Sequence, residues 1–341
     1  MFLGEGGPMT PRVAVLDDYQ NLALAMMDLE RLRGRAEVTA FADHLFDEDA
    51  LVERLAPFAA VALMRERTPF PRSLIERLPN LRLVVTCGLR NRIIDLAACA
   101  ERGIAVSGTE SSGYGTSQVT WALIFALAQD VTMVDRDMRA GRWQTGLGEE
   151  LAGKTLGLLG LGRYGSKVAQ AAPAFDMKLL AWSQNMTAER AAACGAELVP
   201  LDELLRRSDY VSIHLVLSER TQGLIGAREL ALMKSTAFLI NTSRGPIVDE
   251  PALIAALERR AIAGAGLDVF DVEPLPADHP LLRLPNTVLT PHIGYVSQES
   301  YSVVYPQLIE DIEAWLDGTP VRRMHSTVVP DKAAYAPPVR P

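Results

Sequence analysis

The stretch "TLGLLGLGRYGSKVA" constrains the fold most strongly, because it places three glycines between an apolar strand pattern and a helical pattern. Gly160, Gly162 and Gly165 form G-x-G-x-x-G, with Arg163 and Tyr164 between them. Glycines at these positions let the backbone turn tightly and approach a pyrophosphate at the positive end of the following helix. An ordinary glycine-rich turn is the alternative, but the strand and helix on either side favour a dinucleotide-binding loop made of these five residues.

The next strand pattern indicates which dinucleotide this loop binds. In such folds an acidic residue about twenty positions after the glycines accepts hydrogen bonds from the adenosine ribose of NAD. Here the strand "MKLLAWSQN" ends with Ser183 and Gln184, and neither is a carboxylate that would repel a 2'-phosphate. No arginine stands at that strand end to hold the phosphate, so the sequence slightly favours NADP and leaves NAD open.

Short apolar runs alternate with helical patterns on both sides of this loop, which is typical of parallel α/β folds. The first series contains "RVAVL", "AAVALM", "LRLVVTC" and "IAVSG". One long helical stretch over residues 119–143 leads to the second series, "KTLGLLG", "KLLAWS", "ELVP", "DYVSIHL", "TAFLINT" and "AGAGLDV". The final helical pattern, "SQESYSVVYPQLIEDIEAWLDG", has no strand after it, and we expect it to pack on the first domain. This alternation of strand and helix patterns predicts two doubly wound parallel-sheet domains.

The predicted boundaries follow from these two series. Residues 10–112 and 297–330 form a substrate domain, and residues 113–296 form the dinucleotide-binding domain. The glycine-rich start and the proline-rich end, residues 1–9 and 331–341, are predicted to be flexible tails.

Composition excludes several classes of partner. The net charge of −8 argues against a surface that binds nucleic acid or an anionic membrane, because both would be repelled. No apolar run approaches the roughly 18 residues of a membrane span. The three cysteines are far apart in the sequence and suggest neither a disulfide framework nor a metal site, which fits a cytoplasmic protein with a small-molecule partner.

Three more motifs, "INTSRGPIVDE", "GAGLDVFDVEPLP" and "LPNTVLTPHIG", follow the glycine loop in order. With them, the chain from about residue 60 to residue 322 resembles the D-isomer-specific 2-hydroxyacid dehydrogenase family. The resemblance implies a Rossmann domain inserted in a flavodoxin-like substrate domain, a homodimer, and a catalytic set of Arg244, Glu273 and His292. It also implies that His214, Thr242 and Asp268 contact the cofactor.

On the substrate side, the resemblance implies binding by Arg65, Gly88 and Leu89. The loop "CGLRNRIID" departs from the family pattern after Leu89 and adds two cations, Arg90 and Arg92. These arginines could select a substrate with a second anionic group, or they could be exposed charges at a helix start. Both interpretations stay open.

The chemistry explains why these residue types are needed. Moving a hydride to the carbonyl carbon of a 2-keto acid leaves negative charge on oxygen, which a positioned acid must neutralise. An imidazolium such as His292 can supply that proton near neutral pH, and a neighbouring carboxylate such as Glu273 favours the protonated ring. The planar fork of Arg244 can hold a carboxylate and a carbonyl together, which a lysine cannot.

Other functions fit the sequence less well. A formate dehydrogenase has glutamine at the position of Glu273. A short-chain dehydrogenase needs the motif Y-x-x-x-K, but four positions after Tyr164 this chain has Val168 instead of lysine. A non-catalytic NAD-sensing corepressor on the same fold remains the alternative function. His44, His279 and His325 have no catalytic companion that the sequence reveals.

Overall fold

The computed structural model describes residues 10–324, which divide into two compact units. One unit contains the described residues up to Ser112 and from Ser297 onward, and the other is Gly113–Val296. The tails predicted at residues 1–9 and 331–341 lie outside the described residues.

The first unit is built on a parallel sheet that has five strands among the residues described. The strands are β1 (Arg12–Val15), β2 (Glu37–Ala40), β3 (Ala60–Leu63), β4 (Leu83–Thr86) and β5 (Ala105–Gly108). Their order is β2-β1-β3-β4-β5, and every pairing is parallel. This is the flavodoxin-like order, so the predicted fold class of this unit is confirmed. Strand β2 was not predicted, because its sequence "EVTA" at the sheet edge lacks a buried apolar run.

The α-helices of this unit are α1 (Ala23–Met26), α2 (Glu48–Leu55), α3 (Arg72–Glu76), α4 (Leu96–Glu101) and the final helix (Gln298–Leu316). Side chains cap the first turn of three of the five α-helices described in this unit, α2, α4 and the final helix. Asp47 accepts a hydrogen bond from the Ala50 amide at 2.8 Å, and Asp95 does the same for Ala98 at 2.8 Å. The final helix packs against α1 and β4 through its apolar face.

The second unit contains a seven-stranded parallel sheet within the part of the chain that the structure describes. Its strands are β6 (Thr155–Leu159), β7 (Lys178–Trp182), β8 (Glu197–Leu198), β9 (Tyr210–Ile213), β10 (Phe238–Asn241), β11 (Gly264–Leu267) and β12 (Thr287–Leu289). The order β12-β11-β10-β9-β6-β7-β8 reverses direction at β6. This is the Rossmann order extended by β12, and it confirms the predicted fold class.

The helices of the second unit cover both faces of this sheet. They are α5 (Gly115–Ala128), α6 (Val131–Arg139), α7 (Gly165–Ala171), α8 (Ala188–Ala192), α9 (Leu201–Arg207), α10 (Ala227–Leu232) and α11 (Glu250–Glu258). One face buries Leu204, Leu239 and Leu253, and the other buries Ile124 and Val168. A sheet covered on both faces explains the nearly continuous apolar strands.

The single long helix predicted over residues 119–143 is wrong. Helix α5 ends at Ala128, and α6 begins only at Val131. Asp130 has φ of +50°, in the left-handed region, which a right-handed helix cannot pass through. The apolar pattern runs across this break, so it did not reveal the end of α5.

The final helix buries one carboxylate, Asp311, which is 0% exposed. Neither carboxylate oxygen has a hydrogen bond of good geometry within residues 10–324, although Nη2 of Arg322 lies 3.1 Å from Oδ1 as an ion pair. Burial raises the pKa of Asp311 to about 6, and the positive charge of Arg322 only partly offsets this effect. Ionised Asp311 therefore costs the folded protein free energy.

We predict that Asp311→Asn stabilises the protein at about pH 8 by roughly 1–3 kcal/mol in the free energy of unfolding. The pKa of Asp311 is higher in the folded state than its ordinary value of 3.8, so its cost grows as pH rises above 3.8 and is complete once pH passes about 6. The gain should vanish at about pH 3, where the carboxyl is largely protonated in both states. Urea unfolding at both pH values measures this.

The control variant is Glu310→Gln, which removes the half-exposed carboxylate that also pairs with Arg322, 2.9 Å from Nη1. It should show little change between the two pH values. A less stable Asp311→Asn protein at pH 8 would mean that the ion pair with Arg322 outweighs the cost of burial.

Candidate active site

The predicted dinucleotide loop connects β6 to α7, and its geometry requires glycine at two positions. Gly160 has φ of +100°, and a Cβ on it would lie 2.7 Å from the His214 carbonyl oxygen. A Cβ on Gly165 would lie 2.1 Å from the Gly160 carbonyl oxygen. Gly162, in contrast, has no atom within 4 Å of its Cβ position. The loop is thus tightly packed at Gly160 and Gly165, whereas the space next to Gly162 is open. This arrangement fits the binding of a dinucleotide pyrophosphate against the loop backbone.

Arg163 and Tyr164 lie in this loop beside the start of α5. The Arg163 guanidinium stacks on the Tyr164 ring at 5.7 Å and leaves no room for a side chain at Gly113, whose Cβ position is 1.8 Å from Nη2. Lys167 in α7 donates to the Gly113 carbonyl at 3.0 Å. The cationic side chains of this segment therefore anchor the glycine loop to the start of α5.

Ser183 and Gln184 directly follow β7, as predicted, and start a turn. The Met186 amide donates to the Ser183 carbonyl at 3.1 Å, and Gln184 is exposed. The strand end itself carries no arginine, but Arg190 of α8, seven positions beyond Ser183, donates from Nη2 to the Leu161 carbonyl of the glycine loop at 3.3 Å.

His214 follows β9 and packs under the glycine loop. Its Nε2 lies 2.9 Å from the Ser212 hydroxyl, while Nδ1 is buried without a hydrogen-bond partner in the described part of the chain. Burial lowers the pKa of His214 to about 4, so the ring is neutral at neutral pH. A buried ring nitrogen without a partner is costly, and a bound polar ligand could satisfy it.

Arg244 begins a short turn (Gly245–Ile247) after β10. The Asn241 side chain holds this turn, because its Nδ2 donates to the Arg244 carbonyl at 2.9 Å and its Oδ1 accepts from the Ser243 amide at 3.0 Å. Arg244 Nη1 donates to the Ser243 carbonyl at 2.7 Å. The guanidinium is therefore fixed to its own turn. Neighbouring Thr242 is buried, with its hydroxyl 2.9 Å from that of Thr120.

Gly245 lets this turn press against the segment that leads to Glu273. A Cβ on Gly245 would lie 2.1 Å from the carbonyl carbon of Phe270, which is far closer than any side chain allows. The Phe270 amide in turn donates to Oε1 of Glu273 at 2.9 Å. The close contact at Gly245 thus links the position of Arg244 to that of Glu273.

Glu273 and His292 form a direct pair. Oε2 of Glu273 lies 2.5 Å from Nδ1 of His292, and the two side chains are 19% and 14% exposed. The His292 backbone has φ of +52°, and its amide donates to the Thr290 carbonyl at 2.9 Å. The carboxylate fixes the ring through Nδ1, so Nε2 is the nitrogen on the far side of the ring from Glu273.

Asp268 organises the loop that carries His292. Its Oδ1 accepts from the Thr290 hydroxyl at 2.6 Å and from the Ile293 amide at 2.8 Å, and its Oδ2 accepts from the Gly294 amide at 2.9 Å. The side chain is buried, and this burial raises its pKa, although the hydrogen bonds oppose the shift. These bonds surround His292 in sequence, so Asp268 holds its loop in place.

All these residues follow strands of one parallel sheet. Gly160 follows β6, His214 follows β9, Arg244 follows β10, Asp268 follows β11 and His292 lies after β12. The carboxyl ends of parallel strands share one edge, which is where open α/β sheets bind ligands. The structure therefore brings the predicted residues of this unit to a single edge.

In the first unit, the predicted substrate residues lie after β3 and β4. Arg65 has φ of +60°, and its Nη1 is 2.8 Å from the Cβ position of Gly88, so the guanidinium rests on the Gly88 backbone. The Asn91 side chain joins the two loops, donating to the Arg65 carbonyl at 2.8 Å. Leu89 is 53% exposed. The exposed residues Arg90 and Arg92 flank the buried Asn91.

The sequence analysis missed a buried polar cluster in this unit. Asp17 accepts from the Thr68 hydroxyl at 2.7 Å and pairs with Nδ1 of His44 at 2.8 Å. His44 therefore has an acidic partner that the sequence did not reveal, and so does His279, whose Nε2 is 3.0 Å from Glu250. The available signal for the cluster was an aspartate soon after the apolar run "RVAVL".

Residues 10–324 contain no group of three or more histidine, cysteine, aspartate and glutamate side chains arranged to hold a metal ion. Over the same range, every helix is too short or too polar to cross a bilayer.

We predict that Gly245→Ala lowers the free energy of unfolding by about 2 kcal/mol or more, because the new methyl group collides with backbone that cannot move away cheaply. Chemical unfolding measures the change. The control is Gly226→Ala, where the nearest atom to the new Cβ is 3.5 Å away, and it should cost much less. Equal stability of the two variants would show that the turn at Arg244 adjusts freely.

Comparisons with known proteins agree on the family. Residues 121–294 match the family described as D-isomer specific 2-hydroxyacid dehydrogenase, NAD binding domain. The chain is 36% identical over 323 residues to a glyoxylate reductase of Korarchaeum cryptofilum, covering 91% of this chain and 94% of that protein. It is 35% identical over 277 residues to a D-3-phosphoglycerate dehydrogenase of Archaeoglobus fulgidus, covering 80% of this chain and 52% of that longer protein.

Among solved structures, a phosphoglycerate oxidoreductase from Vibrio cholerae o395 superposes with a TM-score of 0.86 at 34% identity, covering 90% of this chain and 99% of that one. The family match and the relatives covered over most of their length agree with the arrangement of residues at the sheet edge, which is where open α/β sheets bind ligands. The chain belongs to the D-isomer-specific 2-hydroxyacid dehydrogenases, oxidoreductases that act on 2-hydroxy acids with a nicotinamide cofactor.

Proposed function

We propose that the protein reduces a small 2-keto acid to the D-2-hydroxy acid, and catalyses the reverse oxidation, with His292 as the acid and base. The observation that carries this proposal is the 2.5 Å pair between Glu273 and His292 in a loop held by Asp268. Relatives named glyoxylate reductase and D-3-phosphoglycerate dehydrogenase support a substrate of this size and charge.

The bound nicotinamide supplies the hydride for reduction and accepts it in oxidation. His292 donates a proton to the carbonyl oxygen during reduction and removes it from the hydroxyl in the reverse direction. Glu273 favours the protonated ring and fixes its orientation through Nδ1. Proton transfer therefore uses Nε2, the ring nitrogen on the side away from Glu273.

Arg244 holds the substrate for this step. Its planar guanidinium can donate to a carboxylate and a carbonyl at once, which orients the carbonyl carbon and stabilises charge developing on oxygen. In the first unit, Arg65 and the backbone of Gly88 and Leu89 are proposed to bind the substrate carboxylate. The resting place of the Arg65 guanidinium on Gly88 supports this assignment.

The cofactor is NAD or NADP, held by the residues of the glycine loop and by the strand ends around it. Ser183 and Gln184 are assigned to the adenosine ribose, and the strand end without a carboxylate slightly favours NADP. His214 offers the buried Nδ1 that has no partner within residues 10–324. Thr242 and Asp268 are also assigned to the cofactor, although their side chains make the hydrogen bonds described above.

We also propose a homodimer. The apolar side chains Trp121, Ile124 and Leu127 of α5 are buried in the core of the second unit and so are not available to a partner. Several exposed apolar side chains lie instead on α6 and the segment after it. They include Met138, Trp143 and Leu147, which are 61%, 73% and 95% exposed. An exposed apolar patch of this kind is typical of an interface, and a second copy would cover it.

The proposed activity is tested with glyoxylate, hydroxypyruvate and other 2-keto acids, each with NADH and NADPH. We predict that His292→Ala lowers kcat by about 100-fold or more, while cofactor affinity measured by fluorescence titration is almost unchanged. The matched control is His279→Ala, because His279 also pairs with a carboxylate at a similar exposure. That variant should keep nearly normal kcat.

If the His292→Ala variant retains turnover, His292 is not the acid that donates the proton. Absence of turnover in the wild-type protein with every keto acid, together with tight cofactor binding, would instead favour the alternative function, an NAD-sensing corepressor-like protein.

The proposed interface predicts that Leu147→Glu converts a dimer to a monomer in sedimentation experiments at micromolar concentration. A buried glutamate without a partner would cost several kcal/mol at the interface. The control is Leu282→Glu, which changes a leucine that is 50% exposed in the same unit, outside this patch. Dimers that persist in Leu147→Glu would place the interface elsewhere.

A further inference from the structure

The ends of β6 and β7 lie side by side where the glycine loop begins. The two strands pair in parallel, with Leu159 opposite Trp182, and the Gly160 amide donates to the Trp182 carbonyl at 2.8 Å. One residue further along each strand, Gly160 is therefore next to Ser183. In a Rossmann fold this groove receives the adenosine ribose of the dinucleotide.

Arg190 reaches this groove from α8. The helix is capped by Thr187, which accepts from the Arg190 amide at 3.3 Å, and the side chain extends back to the Leu161 carbonyl, 3.3 Å from Nη2. Leu161 directly follows Gly160, so Nη2 of the guanidinium contacts the glycine loop just beyond the end of β6. It is seven positions beyond Ser183 in the sequence.

Within residues 10–324, no carboxylate forms an ion pair with Arg190. A guanidinium has several N–H donors besides the one that contacts Leu161. For the acid nearest in sequence, Glu189, interaction with its own backbone and then with Thr187 lowers the pKa. Ser183, Gln184 and Asn185 add no negative charge.

We infer that Arg190 binds the adenosine 2'-phosphate of NADP and gives the protein its preference for that cofactor. This inference rests on the proposed dinucleotide site at the glycine loop. The planar fork of arginine matches the oxygens of a phosphate, and the contact with Leu161 holds it beside the position of the ribose. Arg190 is thus a specificity residue that lies outside the glycine motif.

The test uses two nucleotide fragments that need no catalysis. 2',5'-ADP carries the 2'-phosphate and 5'-AMP lacks it, and calorimetry measures the affinity of each for the full-length protein. Arg190→Ala should weaken 2',5'-ADP binding by about 10- to 100-fold and leave 5'-AMP binding within about twofold. Arg190→Lys should recover part of the loss, and Ser183→Asp should weaken 2',5'-ADP binding by repulsion.

The control is Arg259→Ala, which removes an exposed arginine of the same unit, and it should change neither affinity. Equal losses for both fragments in Arg190→Ala would overturn the inference, because Arg190 would then only support the loop through Leu161. Unchanged binding of both would overturn it too.

The wild-type protein separates this inference from the proposed function on which it rests. If it binds 5'-AMP as tightly as 2',5'-ADP, the preference for NADP is wrong and the dinucleotide site stands. If it binds neither fragment, the proposed dinucleotide site itself fails, and the role of Arg190 fails with it.

Discussion

The buried carboxylate of Asp268 holds the candidate catalytic edge of the second unit together. Its oxygens accept from one hydroxyl and two backbone amides of the Thr290–Gly294 segment, and His292 lies inside that segment with a left-handed backbone. A non-glycine residue in this conformation costs free energy, which the surrounding hydrogen bonds must supply. The direction of the imidazole towards Glu273 depends on these bonds, and the proposed proton transfer depends on that direction.

Much of this edge could be predicted, because each element of it is a short sequence motif next to an apolar strand. The glycines of the loop, Arg244 and His292 each follow a strand directly or nearly so. The alternation of strands and helices then implies that the strand ends meet at one edge of the sheet. The family resemblance supplies the roles proposed for the residues at that edge. Both sheet orders agree with this prediction.

Contacts between residues that are distant in sequence could not be predicted. Arg190 reaches Leu161 only because the strand before α8, β7, is the neighbour of β6 in the sheet, and His44 meets Asp17 only because β1 and β2 are neighbours. The break at Asp130 interrupts an apolar pattern that continues on both sides. The role of Asp268 in loop support was equally hidden, since its hydrogen bonds reach amides some 25 residues away.

The central claim is that an imidazole at position 292 transfers the proton. Chemical rescue tests it most directly: His292→Gly is assayed for reduction of the best keto acid with increasing imidazole in solution, at fixed pH and ionic strength. The account predicts that imidazole restores a saturable part of kcat in this variant and does not stimulate the wild-type protein. A variant that turns over normally without imidazole, or one that binds cofactor and keto acid but is never rescued, would contradict it.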